Sequence, residues 1–179
     1  LALAGLALLG LVVAVALLAP VISPQNPYDL AQLDVMDSKL APGEASGGGR
    51  TYWLGTDDQG RDILSALIYG ARISLVVGLA SVLLSVVVGV GLGLLAGFRG
   101  GWIDAVLMRL CDVMLSFPAI LVALLMAGVG RALFPNAHES LAFGVLIISI
   151  SLTGWVQYAR TVRGSTLVER NKEYVQAAR

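Results

Sequence analysis

One run of sequence, residues 73–98, contains no charged side chain and constrains the fold of this chain more than any other feature. About 20 predominantly apolar residues suffice for a helix to cross the hydrocarbon core of a bilayer, and this run is longer. Only 13% of all residues are charged and 57% are hydrophobic, whereas about 25% of the residues of a soluble domain are charged. We therefore predict an integral membrane protein.

Three further apolar runs predict three more spans. They are residues 1–19, 113–130 and 141–159, none of which contains a charged side chain. Pro118 lies inside the third predicted span, where its missing N–H and its ring are expected to kink the helix. The predicted fold class is an all-α polytopic membrane protein with about four spanning helices.

Residues 20–72, between the first two predicted spans, have a different character. They are rich in proline and glycine and carry more acidic than basic side chains, so we predict a water-exposed extracytoplasmic connector. Near its end, Thr56 and Gln59 have the spacing of a capping box, which predicts a short amphipathic helix along the membrane surface. The predicted division is a first transmembrane helix at 1–19, this connector, and a transmembrane domain at 73–179.

Small side chains recur at every fourth residue of the second predicted span. A four-residue step keeps them on one face of a helix, where their small size lets another helix approach closely. Glycine is common in membrane helices in any case, but the strict spacing favours a packing face. The five residues are Ser81, Ser85, Gly89, Gly93 and Gly97.

Polar side chains also occur inside or beside the predicted spans. Ser149, Thr153 and Gln157 lie four residues apart on one face of the fourth span. Such a stripe can line a translocation path or bond to a neighbouring helix, and of the two we favour the helix contact slightly. Arg109 and Asp112 are three residues apart at the entry to the third span, on one helix face, where they are able to pair.

Residues 160–179 are polar and basic, in contrast to the spans before them. Lys and Arg accumulate here and in the segment 99–109, whereas the loop 131–140 carries only Arg131. Basic residues accumulate on the cytoplasmic side of membrane proteins. We therefore predict that residues 160–179 are cytoplasmic and residues 20–72 extracytoplasmic.

The sequence lacks the residue patterns of catalysis, nucleotide binding and metal binding. There is one histidine, His138, and one cysteine, Cys111, so neither a zinc cluster nor an internal disulfide is expected. Neither a phosphate-binding Gly-x-x-x-x-Gly-Lys-Ser/Thr motif nor a nucleophile motif is present. The formal net charge is +0, which gives no field for nucleic-acid binding. We expect no enzyme, and any active transport then requires a separate motor.

Several motifs resemble the permeases of dipeptide/oligopeptide ABC importers, and in particular the second permease of the pair. The string Leu-Gly-Thr-Asp-x-x-Gly-Arg-Asp at residues 54–62 is the most specific of them. The segments 67–75, 97–104 and 112–118 are similar to the same family, so the resemblance covers essentially the whole chain. It implies the transmembrane fold of type I ABC importers in a bacterial inner membrane.

The last residues of the chain are similar to the start of the EAA loop of these permeases. In that family the loop forms a cytoplasmic coupling helix that docks into a groove of the ATPase subunit. Two alanines match the motif, and their small size allows close docking, whereas a glutamine stands where the family usually has Glu. The resemblance assigns the coupling role to Glu173, Tyr174, Gln176 (the departure), Ala177, Ala178 and Arg179.

The resemblance implies a permease subunit that forms half of a translocation path for peptides. Its implied partners are a second permease subunit in a heterodimer, two ABC ATPase subunits, an extracytoplasmic substrate-binding protein and membrane lipid, with no nucleic acid. The chain itself needs no cofactor, since ATP and Mg²⁺ are bound by the ATPases. Importers with the same motifs carry nickel, glutathione or antimicrobial peptides, and these cargoes stay open.

Two other interpretations use the same residues. An autonomous channel or ion-coupled carrier would use the polar face of the fourth span, although no ionisable side chain lies in the middle of a span to relay ions. A membrane-anchored scaffold would use only its water-exposed segments. The sequence begins at Leu1 rather than Met and stops at Arg179 within a helical pattern, so we expect further sequence at both ends.

Overall fold

The computed structural model describes residues 1–135 and 139–177. Within these residues the chain is built from helices, and β-type pairing is limited to two isolated bridges, so the predicted all-α class is confirmed. The helices are α1 (Ala2–Ile22), α2 (Ile63–Arg99), α3 (Gly101–Ser116), α4 (Ala119–Leu133), α5 (Glu139–Arg170) and α6 (Glu173–Ala177), with 3₁₀ turns at Leu30–Gln32 and Val35–Asp37.

Three of the described helices are long and apolar enough to cross a membrane, namely α1, α2 and the Ala142–Arg170 part of α5. Helices α3 and α4 together have the composition of a fourth span, but they are bent by 89° at the break between them. The structure thus agrees with about four spanning segments, one of them broken. It divides into two compact units, Leu1–Val76 and Val77–Arg179.

The start of α2 differs from the prediction. The helix runs unbroken for 37 residues, about 55 Å at 1.5 Å per residue, so the amphipathic stretch before residue 73 forms its first turns rather than a separate helix. Asp62 immediately precedes it, and the N–H groups of Leu64 and Ser65 donate to Asp62 Oδ1 and Oδ2 at 3.3 and 3.0 Å. These are the bonds of an N-cap, so the prediction that Thr56 caps this helix is wrong.

Thr56 instead stabilises the fold of the connector. Its hydroxyl donates to the Asp37 carbonyl oxygen at 2.5 Å and accepts the Leu40 N–H at 2.9 Å. The Asp37 carboxylate accepts the Tyr52 hydroxyl at 2.9 Å. Burial, together with this bond to a carboxylate, raises the pKa of Tyr52 above its usual value. Threonine and aspartate bond as readily to loop backbone as to a helix terminus, which is why the capping pattern misled.

A buried side chain, Gln25, ties the beginning of the connector to the beginning of α2. Its backbone N–H donates to Ser65 Oγ at 3.1 Å, and its Oε1 accepts the Asp62 N–H at 2.7 Å. Its Nε2 donates to the Gln32 carbonyl oxygen at 2.8 Å. The Ser23 hydroxyl donates to the Gln25 carbonyl oxygen at 2.7 Å. Both ends of the amide are therefore bonded, as buried polar groups generally are.

The second unit contains the break between α3 and α4. Phe117 and Pro118 are both extended, with ψ of 130° and 127°. Proline lacks an N–H and disfavours a helical conformation at the residue before it. The sequence predicted a kink within one span, and this is corrected to a complete break with an 89° bend.

The apolar core of the second unit lies where α2, α3 and α5 meet. Helix α5 is its central element, because α3, α4 and α6 also contact it. Cys111 lies fully inside this core, where a thiol serves as a small apolar side chain. The buried residues are Cys111, Trp155, Val156 and Ala159, and Leu92, Met108 and Met114 pack against them.

Candidate coupling site at the polar end of α5

Helices α2 and α5 approach each other along the stripe of small residues in α2. A side-chain carbon added to Gly89 would lie 2.5 Å from the Trp155 carbonyl oxygen, and one added to Gly93 would lie 2.5 Å from that of Ala159. At Gly97 an added carbon would lie 2.6 Å from Thr166 Cβ and 3.1 Å from the Arg163 carbonyl oxygen of α5. Real side-chain carbons do not approach other atoms so closely. The two backbones are therefore in direct contact here.

The two serines of the stripe continue this contact. Ser151 Oγ of α5 donates to the Ser81 carbonyl oxygen at 3.1 Å, and Ser85 Oγ donates to the Ser151 carbonyl oxygen at 3.5 Å. A side-chain carbon on Gly154 would lie 2.8 Å from Ser85 Oγ. The structure thus brings all five residues of the stripe onto α5. The sequence analysis did not identify their partners, Ser151 and Gly154. The small size of these two residues was the signal that could have indicated a packing face on α5.

The structure places Ser149, Thr153 and Gln157 within α5. The Ser149 hydroxyl is buried and donates to the Val145 carbonyl oxygen at 2.6 Å. The Thr153 hydroxyl donates to the Ile150 carbonyl oxygen at 3.1 Å. Both hydroxyls are therefore satisfied by the backbone of their own helix. Gln157 is exposed, and a role of the three residues in a translocation path stays a prediction.

Two arginines of α5 form ion pairs with acidic residues of α3. Arg163 binds both carboxylate oxygens of Asp104, and its Nη2 lies 2.5 Å from Asp104 Oδ2. Arg160 Nη2 lies 2.5 Å from Asp112 Oδ1. Asp112 Oδ2 also lies 4.0 Å from Arg109 Nη1, the pair considered from the sequence. The sequence analysis missed both inter-helical pairs. A sequence shows that charges lie at the ends of the spans, but it does not show which helices are neighbours.

Arg170, at the end of α5, binds the turn between α2 and α3. Its Nη1 donates to the carbonyl oxygens of Gly97 and Phe98 at 3.2 and 2.9 Å. These carbonyls belong to the last turns of α2, where the helix dipole favours a cation. Gly100 and Gly101 make the turn with φ of 66° and 59°, a region that glycine adopts without steric cost.

The short helix α6 follows α5 after two residues and is held to it by Glu169. The Glu169 carboxylate accepts the Lys172 ammonium at 2.6 Å and the Tyr174 hydroxyl at 2.7 Å. These bonds raise the pKa of Lys172 and the pKa of Tyr174 above their usual values. Helix α6 is therefore fastened to α5 by side chains as well as by the short connection.

The residues assigned a coupling role fall into two groups. Three of them are exposed on α6, namely Glu173, Tyr174 and Ala177. The other three lie outside the part of the chain that the structure describes. For Gln176 this applies to the side chain, and for Ala178 and Arg179 to the whole residue. In the described part of the chain there is no group of three or more His, Cys, Asp or Glu side chains that could hold a metal ion.

The sequence profile of one family covers this region. The profile, described as a binding-protein-dependent transport system inner membrane component, matches residues 89–179, just over half of the chain. The chain belongs to this family. A second profile, for the N-terminal transmembrane domain of oligopeptide transport permease C, matches residues 1–42. The chain is thus a multi-pass membrane protein of the importer permease family, as the motifs at residues 54–62 predicted.

Curated members of the permease family are similar over nearly the whole chain. The oligopeptide transport system permease protein OppC of Bacillus subtilis is 36% identical over 179 residues, 99% of this chain and 52% of that protein. The dipeptide transport system permease protein DppC of Haemophilus influenzae is 36% identical over 178 residues, which are 99% of this chain and 56% of that protein. The glutathione transport system permease protein GsiD of Pectobacterium atrosepticum is 40% identical over 153 residues, which are 86% of this chain and 46% of that protein. The chain spans about half the length of these relatives.

Gly100→Ala is expected to destabilise the α2–α3 turn of this permease. Gly100 has φ 66° and ψ −156°, a combination that is essentially restricted to glycine, so alanine is expected to cost about 1–3 kcal/mol of unfolding free energy. The matched control is Gly164→Ala, which is helical and has no atom within 4 Å of an added carbon, so it should stabilise by up to about 1 kcal/mol. Thermal unfolding of the purified protein in detergent measures both. If the two variants changed the unfolding temperature equally, the claim that the backbone at Gly100 requires glycine would be contradicted.

Proposed function

We propose that this chain is part of a permease subunit of an ABC importer for peptides, and that it forms half of the translocation path. The observation that carries the proposal is the family match over residues 89–179, because this stretch contains much of the α2–α5 contact and all of α6. Relatives named as oligopeptide and dipeptide permeases favour a peptide as cargo. Other relatives are named as glutathione and peptidoglycan permeases. The alternative cargoes are therefore glutathione, peptidoglycan, nickel and antimicrobial peptides.

The proposed partners are a second permease subunit, two ATPases that bind ATP and Mg²⁺, and an extracytoplasmic substrate-binding protein. The family description as a binding-protein-dependent system supports the last of these. The basic character of residues 160–179 supports a cytoplasmic position for α6, on the side where ATP is available. The connector of residues 20–72 is then extracytoplasmic.

In this proposal α6 is the docking helix. It presents the exposed side chains of Glu173, Tyr174 and Ala177, while Glu169 holds it to the end of α5. An ATPase groove that closes on ATP would displace α6. Because only two residues separate α6 from α5, and α5 contains a candidate span, the displacement reaches the membrane helices without a long linker. The spans then expose the translocation path to either side in turn.

Ala177→Glu in the full-length protein is expected to weaken docking of the ATPase strongly. A charged side chain in a close helix–groove contact is expected to cost about 2 kcal/mol or more, as hot-spot changes do, so the ATPase retained during affinity purification should fall at least about tenfold. ATP-driven uptake of peptide should fall with it. The matched control is Ala45→Glu, an exposed alanine of the connector, which should leave both measurements unchanged.

Two results of this experiment would count against the proposal. Normal retention of the ATPase and normal uptake in the Ala177→Glu protein would contradict docking through α6. Uptake that persists in membranes lacking the ATPases would instead support an autonomous channel or ion-coupled carrier.

A further inference from the structure

Three side chains on one face of the last turns of α5 hold the turn between α2 and α3. Arg163, Thr166 and Arg170 are spaced three and four residues apart, so they lie on one side of the helix. Arg163 binds Asp104 near the start of α3, and Arg170 binds the carbonyl oxygens at the end of α2. Between them, Thr166 Cβ would lie 2.6 Å from a side-chain carbon added to Gly97. Helix α5 therefore contacts the turn on both sides.

We propose that three segments move as one rigid unit, which we call the coupling block: the polar end of α5 (residues 163–170), α6 and the α2–α3 turn (residues 97–104). Arg163 and Arg170 are the positioning residues that hold this block together. The inference rests on the proposed function, because an ATPase displaces α6. It adds that the displacement is delivered directly to α2 and α3, and not through α5 alone.

The Arg163–Asp104 pair has the geometry of a fixed contact. The guanidinium meets both carboxylate oxygens, an arrangement that fixes orientation as well as distance. The two side chains are only 31% and 18% exposed. Water and salt therefore compete with this pair less than with a fully exposed pair, which contributes little.

The Arg170 contact fixes the other side of the turn. Its guanidinium bonds two consecutive carbonyl oxygens, those of Gly97 and Phe98. At Gly97 the Thr166 side chain of α5 lies directly against the α2 backbone, so a change in the angle between the helices would have to break these bonds or force Thr166 into that backbone. The block is thus held by two charged contacts about two helical turns apart on α5.

The neighbouring Arg160–Asp112 pair is a looser contact and supplies a matched control. The two side chains are 42% and 55% exposed, and Asp112 lies 4.0 Å from Arg109 as well. Loss of Arg160 therefore leaves Asp112 with a second cation in reach. Arg160→Gln is expected to leave the coupling block intact, whereas Arg163→Gln combined with Arg170→Gln should loosen it.

The test measures the distance across the coupling block in the full-length protein with its partner ATPases. Spin labels are attached at Trp102→Cys in the turn and Val168→Cys on α5, two positions that are 75% and 64% exposed. Cys111 is fully buried and does not compete for the label. Pulsed electron paramagnetic resonance gives the distance without nucleotide and with ATP, Mg²⁺ and vanadate. With both arginines in place, we expect a narrow distribution that does not shift between the two states.

In the Arg163→Gln, Arg170→Gln protein, we expect the distribution to broaden and its mean to shift when nucleotide is added, because α5 then moves without the turn. Arg163→Asp alone should broaden the distribution, and adding Asp104→Arg should restore it by reversing the ion pair. A nucleotide-dependent shift with both arginines in place overturns the proposal. A narrow and unshifted distribution in the double variant overturns it too. A double variant whose distribution is broad in both nucleotide states but whose mean does not shift when nucleotide is added would show a structural role only, and it overturns the positioning role.

Co-purification of the ATPases separates failure of this inference from failure of the proposed function. If the protein with both arginines retains no ATPase, the proposed function fails. The nucleotide-free distributions then still decide whether Arg163 and Arg170 hold the block: a broader distribution in the double variant supports the block, and equal widths overturn it.

Discussion

Gly93→Val is expected to lower the free energy of unfolding by about 3 kcal/mol, the upper end of the usual cost of overpacking. The first added carbon would lie 2.5 Å from the Ala159 carbonyl oxygen and 3.0 Å from Val162 Cβ. The first neighbour is backbone and the second is the root of a β-branched side chain, so neither can rotate away. Accommodation requires α5 to move away from α2, which breaks the packing along the whole stripe.

Gly91→Val is the matched control for this prediction. Gly91 lies on the same helix and has no heavy atom within 4 Å of an added carbon, so stability should change by no more than about 0.5 kcal/mol. Thermal unfolding of the purified full-length protein can be followed by tryptophan fluorescence, because Trp155 is buried beside Gly89 in the same contact. A similar loss of stability in both variants would show that glycine is needed for the helix itself and not for the contact with α5.

The α2–α5 contact illustrates what the sequence could predict. A four-residue spacing of small side chains follows from helix geometry alone, so Ser81, Ser85, Gly89, Gly93 and Gly97 could be placed on one face without knowing the fold. Which helix covers that face could not be predicted. The partner positions, Ser151 and Gly154 among them, depend on the crossing angle of two helices that are distant in sequence.

Local signals failed where long-range contacts decide the structure. Thr56 and Asp62 both have the chemistry of a helix cap. The structure uses Asp62, whose own N–H donates to Gln25, a residue 37 positions earlier in the chain. Pro118 predicted an interruption, but the 89° bend depends on packing such as that of α4 on α5, where a carbon on Gly130 would lie 3.0 Å from Val145. Proline removes a bond, and tertiary packing sets the angle.

The same reasoning explains why the contacts of the candidate coupling site were only partly predicted. Family motifs pointed to α6, which is a local segment. The pairs of Arg163 with Asp104 and of Arg160 with Asp112 join residues 59 and 48 positions apart, and charge patterning gives no means of choosing between possible partners. Each of these arginines was used only as a marker of membrane orientation, whereas the structure shows each one bonded to α3.

Gln25→Ala is expected to destabilise the first unit by about 2–4 kcal/mol. The buried Asp62 N–H loses its partner, which costs about 1–3 kcal/mol, and the partly buried bond to the Gln32 carbonyl oxygen contributes about 1 kcal/mol more. Gln25 is only 2% exposed. Its Oε1 accepts the Asp62 N–H at 2.7 Å and its Nε2 donates to the Gln32 carbonyl oxygen at 2.8 Å. Alanine removes both bonds but keeps the backbone bond from residue 25 to Ser65, so the loss reports the amide alone.

Two further variants make this prediction specific. Gln25→Glu keeps an acceptor for the Asp62 N–H but cannot donate to the Gln32 carbonyl oxygen when ionised, and it places a second negative charge near the Asp62 carboxylate. It should therefore be as damaging as alanine at neutral pH. Gln32→Ala is the control, because its backbone carbonyl remains and it removes only two exposed side-chain bonds, from the Asn26 N–H and to the Asp29 carboxylate. It should cost no more than about 1 kcal/mol, since water can replace both partners.

Hydrogen exchange at the start of α2 is the decisive measurement for Gln25, with thermal unfolding beside it. If Gln25 fixes the start of the helix, the Asp62 amide should exchange faster in Gln25→Ala, and the Leu64 and Ser65 amides should follow because their cap depends on the position of Asp62. Unchanged exchange and a stability equal to that of Gln32→Ala would mean that the Asp62 cap is sufficient by itself. The start of α2 would then be a local property of residues 62–65, and it could have been predicted from the sequence by choosing the capping residue nearest to the apolar run.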